Sequence, residues 1–444
     1  MSKNHLTALK SLAITTLLLF GAPKINLKIG PIPFYLLDFF ILVTFIYSTK
    51  LPGRFRFKIP YKSLVNFILV MIVANEIFNA IILQSVLQPI YLIFRMALAV
   101  SLYYSISRIV TKPSDLMYLL KYGLFGAFIT SILLITSSLP MTRGVSEMIL
   151  SNTVLTPNAD RLSDLLLEQN NSGIRGTSLV GVSILSGAFL NVIWPLLFLM
   201  LNFKKPKGAL KILFYSTLVL APIGIIMTYS RGAILALLLI SFSMTILQKG
   251  KYRRVLSSVL LVLYLGFTAV GWNSELFMFD RVQNRTIATF TNPYDDERES
   301  ERINAYIEPF QHIANNPRYL FLGEGFARNK VALKKTQKRQ NNRADHAVFA
   351  RAYYAYGMIT SLAIIALFLL LTRYTYKRIS ISSSNNIFSY KLSRLSLVLL
   401  IGFSSWFSFG HAAVSQPRGA MLMFFVFGLI TIQNRMNRNP NKKI

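Results

Sequence analysis

The sequence predicts an all-α polytopic membrane protein, with about twelve transmembrane helices and two long external loops. Hydrophobic residues make up 53% of the 444-residue chain and charged residues only 15%, with a mean hydropathy of +0.48. This composition is too apolar for a soluble protein of that length. The apolar residues also fall into runs long enough to cross a bilayer core of about 30 Å, which takes about 20 residues. The cations, which give a net charge of +31, flank these runs.

The predicted spans follow the apolar runs in order along the chain. The first begins with Lys3 and Lys10 and resembles a signal peptide, but no small-residue cleavage site follows, so we expect a retained signal anchor. The twelve spans are residues 8–22, 29–48, 63–82, 88–109, 116–138, 179–202, 210–228, 232–248, 255–272, 347–372, 393–411 and 419–434.

The distribution of charge predicts how these spans are oriented. Positively charged loops remain in the cytoplasm, and with both termini cytoplasmic 25 of the 48 cations lie on that side. The long external segments hold 14 of the 17 acids. The predicted regions are spans one to five (1–138), the first loop (139–178), spans six to nine (179–272), the large loop (273–345), spans ten to twelve (346–434) and a basic tail (435–444).

The same distribution excludes several functions. Cations spread over many short cytoplasmic loops do not form the single basic face that binding to nucleic acid requires, so nucleic acid is not an expected partner. The chain has no cysteine, which excludes disulfides, thiolate metal sites and cysteine nucleophiles.

Each long loop contains a predicted amphipathic helix. Residues 160–169 place leucines on one stripe and acids on another, as expected of an interfacial helix on the outer leaflet or of a loop helix packed on the protein. Residues 300–316 space apolar side chains at three and four, with a kink at Pro309. The second helix can therefore dock on the membrane domain and hold Arg302 near the bilayer surface.

Arg231 lies between two spans with almost no loop, in the sequence Ser230-Arg231-Gly232. Arginine at that depth is costly unless it reaches water, pairs with an acid or meets an anion. Two interpretations remain open, a snorkelling arginine at a tight turn or a guanidinium fixed at the outer surface for a lipid-linked phosphate.

His346 stands where the large loop enters the tenth span. A histidine at a helix start is often a cap, but cations precede this one and a tyrosine-rich helix follows it, which favours a catalytic role. Gly323-Glu324-Gly325 indicates a tight turn more than a phosphate cradle. The acidic run at 294–299 contains an arginine and is typical of a solvated loop, so we expect no metal ion and no cofactor.

Four ionisable residues lie inside the predicted spans. Asp38, Glu76, Arg95 and Lys121 are expected to face the bundle interior or water and to pair with one another. Charged residues along a central path would also suit a transporter or flippase, so that alternative stays open.

These features together resemble the O-antigen ligase and O-antigen polymerase family of bacterial envelope glycosyltransferases. The resemblance rests on the twelve spans, the turn at 228–233, the large loop with Arg302, Pro317 and Gly323-Glu324-Gly325, and the stretch 346–357. It implies transfer of an oligosaccharide from undecaprenyl diphosphate to a sugar hydroxyl, at the periplasmic face of the bacterial inner membrane. The acceptor is another lipid-linked repeat unit in polymerases and lipid A-core in ligases, and polymerase is slightly favoured here.

The resemblance also implies the residues that act. Arg231 matches the family's turn arginine, Arg302 its loop arginine and His346 its essential histidine, while Arg175 resembles its arginine-glycine entry into the sixth span. The family's usual asparagine after the histidine is here Ala347. The three arginines are expected to bind diphosphate or glycan, and His346, Arg231 and Arg302 to catalyse a metal-independent, inverting transfer.

Overall fold

The computed structural model describes most of the membrane domain and part of the large loop. The described residues are 2–27, 34–52, 59–83, 87–139, 178–180, 183–203, 206–228, 230–248, 253–261, 309–323, 348–382, 387–409 and 417–437, with single positions and short pieces at 142–149, 250, 307 and 325.

The described chain is almost wholly helical. Its helices are α1 (Lys3–Gly21), α2 (Leu36–Thr49), α3 (Lys62–Leu83), α4 (Leu87–Ile109), α5 (Pro113–Ser138), α6 (Ser183–Leu197), α7 (Met200–Phe203), α8 (Ala209–Ile226), α9 (Arg231–Leu247), α10 (Val348–Tyr356), α11 (Met358–Ser382), α12 (Ile387–Phe409) and α13 (Pro417–Asn437). Residues 253–261 and 309–315 are also helical, and Pro317–Leu320 form a 3₁₀ turn.

Length and composition make this a multi-pass membrane protein. Among the described residues, five helices are long and apolar enough to cross a bilayer, and four shorter apolar helices accompany them. The five long candidates are Lys62–Ile81, Pro89–Ile109, Pro113–Ser138, Ala209–Ile226 and Met358–Ile379. The all-α membrane class is therefore confirmed, while the number of twelve spans stays a prediction.

Local sequence signals explain where individual helices begin. α5 starts with Pro113 at its first turn, where a missing N–H costs nothing. Asp115 then accepts hydrogen bonds from the backbone N–H groups of Thr111 and Lys112, at 2.9 and 3.0 Å. A carboxylate in this position satisfies orphan donors and complements the positive end of the helix dipole.

Contacts between side chains give the relative direction of the first helices. Asp38 in the first turn of α2 pairs with Arg95 on α4, and Arg108 at the end of α4 donates to the carbonyl of Leu51, just after α2. α2 and α4 therefore run in the same direction. We call the end of the bundle at which they begin the upper end.

The remaining contacts place the turn before α9 at the upper end as well. On α1, Ser11 bonds to Thr44 of α2 and Thr15 donates to the carbonyl of Phe40. The two helices are therefore antiparallel, and α1 ends at the upper end. Thr130, late in α5, donates to the carbonyl of Phe20 at 2.7 Å, and Gly224 near the end of α8 packs against Ser131. The ends of α5 and α8 therefore lie at the upper end, and α9 begins there.

Three predicted spans differ from the structure. The second was predicted from residue 29, but α2 begins at Leu36 because residues 34–35 pair with 26–27 as a two-residue antiparallel hairpin. The sixth, containing Pro195, is interrupted between α6 and α7. The tenth, predicted as one helix over 347–372, is broken at Gly357, whose φ of 86° is left-handed.

The ionisable residues inside the spans were predicted to face the bundle interior or water, and three of the four face the interior. Asp38, Glu76 and Arg95 are buried, at 0%, 0% and 1% exposure, whereas Lys121 is half-buried. The Arg95 guanidinium bonds to Asp38 and lies over the rings of Tyr35 and Tyr91, at 4.6 and 4.9 Å from their centres. A carboxylate and aromatic faces together compensate for the removal of this charge from water.

Candidate functional site

The turn that presents Arg231 is built from hydroxyl side chains. Thr228 Oγ1 donates to the carbonyl of Ile225 at 2.6 Å and accepts from the backbone N–H of Ser230 at 3.2 Å. Ser230 then caps α9 by accepting from the backbone N–H of Ala233, at 3.4 Å. This hydroxyl pattern ends α8 and starts α9 within a few residues, which makes Arg231 the first residue of the new helix.

A buried side chain holds this helix start in place. Asn191 on α6 is 2% exposed and its Nδ2 donates to the carbonyl of Ala233 at 2.9 Å. The N-terminus of a helix carries a partial positive charge and unpaired backbone N–H groups. The upper end of α9 therefore combines a helix terminus with the backbone of an arginine, an arrangement suited to an anion.

The contact between the large loop and α10 is also at the upper end, because the loop meets α3 near its end at Leu83, just before α4 begins. His312 Nδ1 lies 3.0 Å from the hydroxyl of Tyr353, and the ring of Phe310 stacks on that of Phe349 with centres 5.8 Å apart. Tyr319 is 3% exposed and Tyr353 fully buried. The docking predicted for the loop helix at 300–316 is therefore confirmed for its described part, residues 309–316, and the chain that follows also packs on α10 through Tyr319.

The face used for docking differs partly from the predicted one. Ile313 is partly buried against the aromatic cluster, as expected. Ile307 and Phe310 remain 50% and 55% exposed, so they are not the buried core of this contact. His312, which the apolar spacing did not single out, supplies the polar contact instead.

The loop also meets α3, through two asparagines one helical turn apart. Asn75 Nδ2 donates to the carbonyl of Ala355 on α10, and its Oδ1 accepts from the backbone N–H of Gly323 at 3.1 Å. Asn79 Nδ2 bonds to the carbonyl of Asn75 at 2.8 Å and to that of Gly323 at 3.3 Å. The prediction of a tight turn at 323–325 agrees with the φ of 73° at Gly325.

The described residues include only part of the predicted site. Arg231 has its backbone placed at the start of α9. Arg175, Arg302 and His346 lie outside the described residues, as do the acidic run 294–299 and the predicted helix 160–169. The segments that follow Arg302 and His346 along the chain are brought together, because 309–323 packs against α10.

The asparagines were missed by inference from the sequence. Asn75 and Asn79 are buried at 0% and 3% exposure within a long apolar helix. An amide at that depth must find partners or pay for lost hydration, and two of them at i and i+4 share one helix face. That spacing was the one feature of the sequence that could have indicated a polar contact on this face of α3. Among the described residues no group of three or more acids and histidines could hold a metal ion.

The comparison with protein families agrees with the resemblance seen in the sequence. The model of the family described as O-antigen ligase matches residues 216–353, from within α8 to within α10. The matched range includes the positions of Arg231, Arg302 and His346, whereas Arg175 precedes it. No curated protein matches the chain. Residues 216–353 are therefore similar to the family described as O-antigen ligase, which is the family that the sequence resembles.

Proposed function

We propose that this protein transfers a glycan from undecaprenyl diphosphate to a sugar hydroxyl at the periplasmic face of the bacterial inner membrane. The match of residues 216–353 to the family described as O-antigen ligase supports activity of this type. The upper end of the bundle is then the periplasmic end, and the N-terminus and the basic tail are cytoplasmic, in agreement with the distribution of cations.

The observation that carries the proposal is the position of Arg231. It is the first residue of α9, directly after a serine cap, at the end of the bundle where the large loop docks. An arginine at this position brings a full charge to the region of a positive helix terminus, and the pair of nitrogens on one edge of a guanidinium suits a phosphate group. A diphosphate at the membrane surface, joined to a lipid within the bilayer, is the anion that fits this location.

The proposed chemistry is a single displacement at the anomeric carbon. The acceptor hydroxyl attacks that carbon while the bond to the diphosphate oxygen breaks, and His346 takes the hydroxyl proton. Arg231 and Arg302 stabilise the charge that develops on the departing undecaprenyl diphosphate. Attack opposite the leaving group inverts the anomeric centre. Two arginines supply the positive charge that a metal ion provides in other transferases, and Arg175 is a further candidate contact to diphosphate or glycan.

Both members of the family remain candidates for the acceptor. A polymerase joins a second lipid-linked repeat unit, and the large, highly charged loop at 273–345 would suit a long product. A ligase transfers the glycan to lipid A-core, and the match to the family described as O-antigen ligase is compatible with either acceptor. The transporter alternative loses support, because Asp38 and Arg95 pair with each other in a closed aromatic environment.

Reconstitution with a defined donor tests the proposal. Purified protein in liposomes is given an undecaprenyl diphosphate oligosaccharide, alone or with lipid A-core, and the products are separated by mass. Longer lipid-linked glycans from donor alone indicate a polymerase, and glycosylated core indicates a ligase. Movement of donor between leaflets without a new glycosidic bond would contradict the proposal and favour a flippase.

A further inference from the structure

The junction of α3, the large loop and the break in α10 has a structure that the proposed chemistry does not yet use. We propose that Asn75 is a positioning residue: its amide fastens the loop turn at Gly323 to the carbonyl of Ala355, and so aligns the two chain segments that carry Arg302 and His346. We call these two hydrogen bonds the asparagine latch. The inference rests on the proposed glycan transfer, because it concerns the alignment of groups for that reaction.

The latch uses both ends of one buried carboxamide. Asn75 is 0% exposed, and its Nδ2 and Oδ1 bond to different segments of the chain. Ala355 lies next to the break at Gly357, where the carbonyls of a helix end need partners outside the helix. Asn75 supplies the hydrogen-bond partner for that carbonyl and for the Gly323 N–H. If the loop moved away from α10, at least one of these two backbone groups would lose its partner.

The shape of the junction depends on glycine. A Cβ at Gly323 would overlap the backbone of residues 354–356, and a Cβ at Gly357 would lie 2.8 Å from the carbonyl carbon of Phe321. Two stretches of backbone therefore pass each other closer than any side chain allows. Gly357 also needs its left-handed φ to turn the chain there. Close approach and a shared amide together indicate a specific docked position.

The segments joined by the latch lead directly to the proposed catalytic groups. Pro309 begins the docked segment seven positions after Arg302, and Val348 begins α10 two positions after His346. Transfer requires the base and the anion-stabilising arginine to face one sugar from defined directions, and a misplacement of about 1 Å can cost about 100-fold in rate. The asparagine latch, which joins these segments, is therefore expected to affect the rate of the chemical step.

A second contact would hold the loop loosely when the latch is removed. His312 and Tyr353 remain 3.0 Å apart, and Phe310 stacks on Phe349. Loss of the latch should therefore misalign the loop without unfolding the bundle.

The first test is the Asn75→Leu variant, which keeps the volume of the side chain and removes both hydrogen bonds. The matched control is Asn66→Leu, at an exposed position on the same helix. With a lipid-linked donor we expect kcat of Asn75→Leu to fall about 10- to 100-fold, with KM for donor within about threefold of wild type. Asn66→Leu should behave as wild type. A change in KM alone, or an unchanged kcat, would overturn the positioning role.

A double variant tests whether Asn75 acts through Gly323. Gly323→Ala should lower kcat by a similar factor, because its Cβ pushes the turn away from α10. If both changes break one latch, the double variant loses little more than either single variant, since effects on a shared contact do not add. Multiplied losses in the double variant would show two independent effects and contradict the latch.

A thiol reporter separates the latch from the proposed function. The chain has no cysteine, so Tyr319→Cys introduces a unique thiol at a position that is 3% exposed under the docked loop. Labelling by a membrane-impermeant maleimide should rise several-fold when Asn75→Leu is added and stay unchanged with Asn66→Leu. The labelling can be measured even if the wild-type protein transfers no glycan. Unchanged labelling would refute the latch while leaving the proposed function intact.

A milder variant provides the same test if Asn75→Leu does not accumulate in membranes. Asn79→Leu removes one bond to the Gly323 carbonyl, of 3.3 Å, and leaves Asn75 in place. It should change kcat and labelling in the same direction by a smaller factor, and the absence of both changes would refute the latch.

Discussion

The buried pair of Asp38 and Arg95 gives a prediction of stability that can be worked out from the structure. Asp38→Asn keeps the shape of the side chain and removes its charge, which leaves the guanidinium of Arg95 at 1% exposure without its counterion. Removing one partner of a buried ion pair costs about 3–5 kcal/mol in unfolding free energy. The cost arises because the remaining charge is held away from water.

The aromatic surroundings of Arg95 reduce this cost. The guanidinium carbon lies 4.6 Å from the ring centre of Tyr35 and 4.9 Å from that of Tyr91. A desolvated cation over a ring gains up to about 2 kcal/mol, so we expect Asp38→Asn to lose about 3 kcal/mol, the lower end of the range. Arg95→Met should cost a similar amount, because it leaves the Asp38 carboxylate buried.

The double variant distinguishes an ion pair from two independent packing effects. Asp38→Asn with Arg95→Met buries no charge, so it should be at least as stable as either single variant. Thermal unfolding of the purified protein in detergent, followed by tryptophan fluorescence, gives the comparison. Arg253→Gln, at an exposed position, is the control for loss of a cation. The reasoning is refuted if Asp38→Asn unfolds at the temperature of the control, or if the double variant shows the sum of the single losses.

Three further predictions follow from other contacts. Gly126→Leu should lower the yield of folded protein, because its Cβ would lie 2.8 Å from the carbonyl oxygen of Leu17 on α1. Gly144→Leu is the control, because the space around Gly144 is open. Equal yields of the two variants on size-exclusion chromatography would contradict this prediction. Asn191→Leu removes the bond to the Ala233 carbonyl beside Arg231 and should slow glycan transfer about tenfold at normal expression, and an unchanged rate would argue against a fixed turn. Excess chelator should leave transfer unchanged, since the proposed reaction takes its positive charge from arginines; loss of activity would point to a metal ion.

Properties that depend on neighbours along the chain could be predicted from the sequence. Apolar runs gave the membrane class, and the Ser230-Arg231-Gly232 turn fell where α9 begins. The burial of Asp38 and Arg95 followed from the cost of charge in an apolar environment. The apolar spacing of 300–316 also predicted docking on the membrane domain, which the contacts of residues 309–316 confirm, although Ile307 and Phe310 are not on the buried face.

Properties that depend on distant residues could not be predicted. Asn75 bonds to Ala355, 280 positions later, and to Gly323, 248 positions later. No pattern of neighbouring residues predicts such a pairing. A glycine inside an apolar run likewise does not indicate which distant backbone packs against it. The break at Gly357 was missed for that reason, because the backbone of Phe321 that lies beside it comes from a distant part of the chain.

The reaction itself is tested most directly by the rate of glycan transfer in the His346→Ala variant. Wild-type protein in liposomes should form a new glycosidic bond and release undecaprenyl diphosphate. His346→Ala should reduce the rate by about 10²–10⁴-fold, the usual contribution of a general base. His5→Ala is the matched control, because His5 contacts the carbonyl of Ile109 at the opposite end of the bundle. Transfer by His346→Ala at the rate of this control would contradict the proposed mechanism.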